Sequence, residues 1–192
     1  MEKTIDDPKL AAILNSAFQA FASYGFRKTS MDDIAKGAGM SRPAVYLHFK
    51  NKEAIVRHLT EFYYGEKITE VGQALAQEGT IPDVLAAAIN AQSDGMAAIL
   101  ASPHGLEMLD ATKSMATDIV ETGEAELTRL YANWLQREAA AGRVNLTTEA
   151  YETAKTMTAA LKGIKMTASG ADEFEQRVAQ LAALFGAALE VR

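Results

Sequence analysis

Residues 31–50 read MDDIAKGAGMSRPAVYLHFK, and their spacing decides the fold. Ile34 and Ala35 form the inward pair of a short helix whose first turn carries Asp32 and Asp33. Carboxylates there oppose the positive end of the helix dipole and read as capping groups. Gly39 follows four residues after Ala35, where a tight turn needs the left-handed backbone that glycine adopts without steric cost. Ser41 can cap the next helix, and Pro43 is tolerated in a first turn whose amides have no partner inside the helix. Val45, six residues after Gly39, supplies the first buried anchor. A small residue at the crossing, a glycine in the turn and an apolar anchor at this distance are the requirements of a helix-turn-helix.

Upstream, Asp7 and Pro8 mark a helix start, as N-cap and first helical residue. Leu10, Ile13, Leu14, Ala17, Phe18 and Phe21 then recur with helical period, and Gly25 stops the run, so the first helix spans about residues 8–24. Ser30 caps the second helix. The third extends from the Ser41 cap to about Lys50, with Phe49 a core position, and Asn51 caps a fourth from Lys52. The remainder is helical in pattern. One segment runs from Thr80, Ile81 and Pro82 to about Leu100, and another opens at Ser102–Pro103 and continues through Met108 and Leu109. A long amphipathic stretch from about Ala116 to Ala141 is closed by Gly142. A helix from Thr147 or Thr148 carries Tyr151, Met157, Leu161 and Ile164; after Gly170 a last one carries Phe174, Val178, Leu181, Leu184, Phe185 and Leu189. The predicted class is all-α, with residues 1–52 a three-helix helix-turn-helix DNA-binding domain. Residues 53–192 are expected to form a second helical domain, and with no long linker the two share the fourth helix. Gly163 and Gly186, inside the last two helices, permit close helix approach, at a dimer interface or within the protomer.

The net charge of −6 hides an asymmetry. Residues 1–58 hold nine Lys/Arg against six Asp/Glu, whereas residues 59–192 hold ten against nineteen. Physiological salt screens charge over about 8 Å, so a distant acidic body hardly weakens a basic tip, and the basic segment is the informative part.

Several function classes drop out. The absence of Cys removes disulfides, zinc–thiolate sites and thiol catalysis. His48, His58 and His104 are scattered without the carboxylate-flanked i, i+4 spacing of a zinc protease, and there is no Gly-rich phosphate loop or G-x-S-x-G elbow. No catalytic residue, metal or cofactor is therefore expected, and the chain does not read as an enzyme. No apolar stretch reaches the roughly 18 residues of a membrane span, and residues 1–8 lack a signal peptide's apolar segment. No membrane partner is expected, and the location is expected to be cytoplasmic.

The longer run from Phe21 to Ala54 carries a more specific signal: FASYGFRKTSMDDIA over 21–35, then AGMSRPAVYLHFKNKEA over 38–54. It closely resembles the N-terminal signature of the TetR family of transcriptional repressors, the resemblance covering about residues 8–57. It implies a protomer of nine or ten helices, a homodimer formed mainly by the last two, and a small-molecule pocket in the C-terminal domain, which makes residues 53–192 a helical ligand-binding and dimerisation domain.

The physical reading of the third helix agrees. Its N-terminal end enters the major groove of operator DNA, where Ser41, Arg42, Pro43 and Ala44 meet the bases. Arg42 is the candidate for guanine O6 and N7, with Pro43 and Ala44 against thymine methyls. Tyr46 and His48 are placed like the family's phosphate-contacting aromatic and histidine, and Lys50 and Lys52 lie where its members grip the backbone. Thr29 and Ser30, with the amides of the second helix, form an anion site that Arg27 and Lys28 extend. In the C-terminal domain the candidate ligand contacts are Phe62, Tyr63, Met96, Leu100, His104, Met108, Met115, Tyr131, Trp134 and Met157. Each also reads as plain core, but their Met and aromatic content points to an apolar or aromatic, weakly charged effector. The function expected is a homodimeric, ligand-responsive transcriptional regulator, a repressor released from a palindromic operator by a small molecule. The alternative is a helical ligand-binding or scaffold protein without DNA binding, which leaves the basic, glycine-turned segment unexplained.

Overall fold

The computed structural model describes residues 7–191; residues 1–6, most of the N-terminal segment read above for a leader, lie outside them. The described residues form ten α-helices: α1 (Pro8–Tyr24), α2 (Met31–Gly37), α3 (Arg42–His48), α4 (Lys52–Ala74), α5 (Ile81–Ser93), α6 (Met96–Ala101), α7 (Gly105–Met115), α8 (Thr117–Ala140), α9 (Ala150–Thr167) and α10 (Ala171–Leu189). Among them there is no strand, only an isolated antiparallel bridge between Val144 and Glu190. The protein is all-α, with a helix-turn-helix near its N-terminus. No helix of the described residues is long and apolar enough to cross a membrane.

The start signals act as the sequence suggests. Asp7 accepts from the Lys9 amide at 2.9 Å, and Pro8 occupies the first turn of α1. Ser30 and Asp33 form a reciprocal capping box on α2, satisfying two helix-end donors at once. Ser41 accepts from the Ala44 amide at 3.3 Å, and Asn51 Oδ1 accepts from the Ala54 amide at 2.9 Å, capping α4. Some boundaries differ. The helix expected to run unbroken to Leu100 is two, because Asp94 turns extended and Gly95 takes φ +80° between α5 and α6. α3 ends at His48, with Phe49 already extended.

The described residues fall into two compact units: residues 7–66 with Ile99–Glu121, and Lys67–Ala98 with residues 122–191. In the first, one apolar core gathers Ile13, Leu14, Ala17 and Phe21 of α1, Met31, Ile34 and Ala35 of α2, Val45 of α3, Ile55 and Val56 of α4, Phe49 and Met108. Each element contributes one face, as short amphipathic helices must if they are to be stable. Ser16 Oγ donates to Ile34 O at 2.8 Å and ties α1 to α2. Arg57 fixes α4 to the joint between α7 and α8, donating to both Asp118 oxygens at 2.8 Å and to Met115 O at 3.0 Å.

In the second unit α10 packs along α5. A Cβ on Gly186 would lie 3.0 Å from Pro82 Cα and Cβ, so this glycine serves an approach within the protomer; an added Cβ on Gly163 has nothing within 4 Å. α8 and α9 are joined by Thr128 and Thr158, whose hydroxyls meet at 3.0 Å, and by Lys162 Nζ donating to Glu124 at 2.7 Å.

Candidate nucleic-acid interface

The turn between α2 and α3 sets the pose of α3. Gly39 has φ +66°, a left-handed conformation costly for residues with a Cβ. The Met40 amide donates to Ala35 O at 2.9 Å, which closes the turn on α2. Val45 is 0 % exposed and Phe49 is buried, so α3 is held by its C-terminal half and by one face only. The opposite face is open. Ser41, Arg42, Pro43, Tyr46, Leu47, His48 and Lys50 are all exposed, and Ala44 is half-buried. On this face Arg42 Nη2 donates to the Tyr46 hydroxyl at 3.4 Å, and its guanidinium lies 5.6 Å from the Tyr46 ring centre. The pair biases a long cation along the helix, which reduces the side-chain freedom lost on contact with a ligand. The His48 ring stands 3.9 Å from the Asp7 carboxylate.

Leu47 was not singled out in the sequence, and it is 87 % exposed. A leucine this open on a helix of seven residues contributes nothing to the core. Its signal was present: it lies two residues after the anchor Val45, on the side away from α2, but apolar residues in a helical pattern are read as core by default.

The loop before α2 shows which cations are free. Arg27, Lys28 and Ser30 are exposed, while Thr29 is 3 % exposed. The Thr29 hydroxyl donates to Ala20 O and Gly25 O, at 3.2 and 2.8 Å. Lys52 is likewise turned inward. Its ammonium donates to Phe26 O and Thr29 O, both at 2.6 Å, and lies 4.4 Å from the Phe26 ring centre. Partial burial pushes its pKa down. Thr29 and Lys52, read from sequence as phosphate contacts, are thus spent inside the fold. Satisfying buried carbonyls of an irregular loop takes precedence over reaching solvent. Lys52→Met keeps the side-chain stem and removes the ammonium. It is expected to lower stability by about 1–3 kcal/mol in urea unfolding; an unchanged midpoint would contradict the stapling role.

The same loop is held from α7. Glu107 Oε1 accepts from the Arg27 amide at 3.2 Å, and its Oε2 lies 3.1 Å from His104 Nδ1. The Arg27 amide and the His104 ring hold the Glu107 carboxyl below its usual range. The His104 amide donates to Ala22 O at 3.1 Å. His104, expected at a ligand, therefore anchors α7 to the end of α1.

The other ligand candidates divide between the units. Phe62, Tyr63, Leu100, Met108 and Met115 belong to the first, where Met108 is core and Met115 packs against it. Met96, Tyr131, Trp134 and Met157 belong to the second and are all buried.

Residues 13–59 match the family model for bacterial regulatory proteins of the tetR family. Over this domain the chain is similar to the TetR family. The match coincides with α1 to α3 and the start of α4. The chain is 29 % identical over 102 residues to the fatty acid metabolism regulator protein of Bacillus subtilis, covering 53 % of this chain and 50 % of that one. It is 44 % identical over 55 residues to the transcriptional regulator EthR of Mycolicibacterium smegmatis, covering 29 % and 25 %. These matches thus span a quarter to a half of the curated relatives' lengths. Beyond this domain, nearly the whole chain shares its fold with solved structures. SmeT, the repressor of a multidrug efflux pump in Stenotrophomonas maltophilia, aligns with TM-score 0.71 and 19 % identity, covering 96 % of this chain and 93 % of SmeT.

Proposed function

We propose that this chain is a TetR-family regulator of transcription, a homodimeric repressor that α3 seats in the major groove and that a small molecule releases. The observation behind it is the outward face of α3, anchored by Val45 and open from Ser41 to Lys50. In this reading the DNA-binding domain is residues 1–52 and the ligand-binding and dimerisation domain 53–192.

Bases are met by Ser41, Arg42, Pro43, Ala44 and Leu47, and phosphates by Tyr46, His48, Lys50, Arg27, Lys28 and Ser30. Leu47 offers an apolar surface to a thymine methyl. Leu47→Ala is expected to leave stability within about 0.5 kcal/mol and to weaken operator binding roughly threefold to tenfold. An unchanged affinity would remove it from the interface. Dimerisation through α9 and α10 draws support from Tyr151, Met166 and Leu184, large apolar side chains exposed on those helices. Two copies then place their α3 helices on half-sites about one helical turn apart.

Effector release needs only a modest bias: a tenfold loss of operator affinity corresponds to about 1.4 kcal/mol of differential ligand binding. SmeT, which shares the fold, has been solved with triclosan, in keeping with an apolar or aromatic effector here.

Fluorescence anisotropy on a labelled random-sequence duplex tests the DNA reading. With Arg27, Lys28 and Lys50 neutralising phosphates in each protomer, the logarithm of the binding constant is expected to fall with the logarithm of salt concentration at a slope of about −5. Absent or salt-insensitive binding would overturn it.

A further inference from the structure

In the second unit, Tyr131 on α8 carries a polar group that the fold does not use. The residue is 0 % exposed, and its hydroxyl oxygen has no hydrogen-bond partner among the described residues. Burial pushes the phenol far above its ordinary pKa, so it is a neutral group, one donor and an acceptor, throughout the physiological range. Buried hydroxyls are nearly always bonded. A phenylalanine would fill the same volume without the desolvation penalty of an unpaired hydroxyl. A tyrosine here therefore points to a partner from outside the chain. Gln92 Oε1, on α5 of the same unit, is a second buried oxygen without a partner.

The helix register gives the level of Tyr131 along α9. Thr128 meets Thr158, and Glu124 meets Lys162 four residues on along α9, so α8 and α9 run antiparallel. One turn beyond Thr128 on α8, Ala132 lies level with Ala154 on α9, and Tyr131 level with Lys155, which is exposed. Ala154 is buried and offers only a methyl group. Leu127, Trp134 and Leu135, three or four residues either side of Tyr131, are buried as well, as are Met157 and Leu161 on α9. None of these buried side chains is charged, so an ionised guest would find no counter-charge among them.

We propose that Tyr131 is the polar anchor of a small-molecule site in the second unit, taking an uncharged ligand with an apolar or aromatic body and one hydrogen-bonding oxygen. The site deepens the effector reading given above and rests on it for its regulatory meaning, though not for its chemistry. The phenol donates to a ligand carbonyl or ether oxygen, or exchanges a hydrogen bond with a ligand hydroxyl. The surrounding side chains take the apolar body.

Three probes of nearly equal shape isolate the hydroxyl: acetophenone, α-methylstyrene, in which a methylene replaces the carbonyl oxygen, and the benzoate anion. Dissociation constants are measured by protein-detected NMR titration, without DNA, for the full chain and for Tyr131→Phe. The wild-type protein is expected to prefer acetophenone over α-methylstyrene about tenfold, the usual order for one hydrogen bond in a buried site, and to bind benzoate most weakly. Tyr131→Phe, with a melting temperature no lower than the parent, is expected to bind the ketone and the hydrocarbon alike. Equal affinities in the wild type, a ketone preference that survives Tyr131→Phe, tighter binding of benzoate, or no binding of any probe would each overturn the assignment. Ketone selectivity in a protein that binds no duplex would remove the repressor reading and leave the site standing. Duplex binding without that selectivity would do the reverse.

Discussion

Arg42→Ala is expected to weaken binding to the selected operator by about 100-fold or more while leaving thermal stability unchanged. Arg42 opens α3 and is exposed, so its side chain supports no core residue. Its role is confined to what lies opposite. A guanidinium paired with guanine O6 and N7 discriminates against a wrong base by roughly a factor of ten or more. A palindromic site engages the residue twice, and separated contacts add in free energy, so the factors multiply. Arg42→Lys should recover little, because an ammonium cannot reproduce the planar, two-pronged geometry. The loss should be sequence-selective: affinity for a random duplex should fall by far less, because one phosphate-neutralising cation per protomer is a small part of the whole. Equal losses on operator and random DNA would place Arg42 on the backbone instead of the bases.

Gly105→Ala is expected to have the largest effect on stability, about 3–5 kcal/mol, or a fall of about 10 °C in Tm. Gly105 is the first residue of α7, and an added Cβ would lie 1.8 Å from Ile99 O and 2.8 Å from Ile99 C. Both are backbone atoms, so no change of rotamer relieves the overlap and the corner between α6 and α7 must open. That corner precedes the contacts by which α7 holds the α1–α2 loop: the His104 amide on Ala22 O and the Glu107 carboxylate on the Arg27 amide. The variant should therefore also loosen Arg27 and Lys28 and weaken DNA binding at a temperature where it is still folded. Gly163→Ala is the control. No atom lies within 4 Å of its added Cβ, and alanine in an exposed helix should be neutral or stabilising by up to about 1 kcal/mol. A Gly105→Ala protein within 0.5 kcal/mol of the parent, roughly the spread of neutral surface changes, would show that the corner yields.

What was legible in the sequence was local. The caps at Asp7, Ser30, Ser41 and Asn51 satisfy helix ends within three residues of themselves, and the turn at Gly39 depends on one backbone angle. Such features are carried by neighbouring residues, so α1 to α4 begin where the sequence places them. The break between α5 and α6 was missed because Asp94 and Gly95 interrupt a pattern whose apolar spacing continues through it. What required tertiary contact was not legible. Lys52 and Arg42 are both cations at helix starts, yet one staples two loop carbonyls and the other is exposed. The difference lies in Phe26 and Thr29, more than twenty residues upstream of Lys52. Leu47 and Val45 are equally apolar, and only the packing of α3 leaves one open and the other buried. The residues expected to line a ligand site share a type, and type does not separate His104, engaged with Glu107, from Tyr131, whose hydroxyl has no hydrogen-bond partner among the described residues.

The central claim is that α3 reads duplex sequence in two symmetry-related copies, and selection of bound duplexes from a fully randomised pool tests it most directly. The expected outcome is enrichment of an inverted repeat whose half-sites are centred about one helical turn apart, with a guanine in each half-site that ceases to be enriched when Arg42→Ala is used. Recovery of no common sequence, or of the same inverted repeat with the same guanine by both proteins, would contradict it.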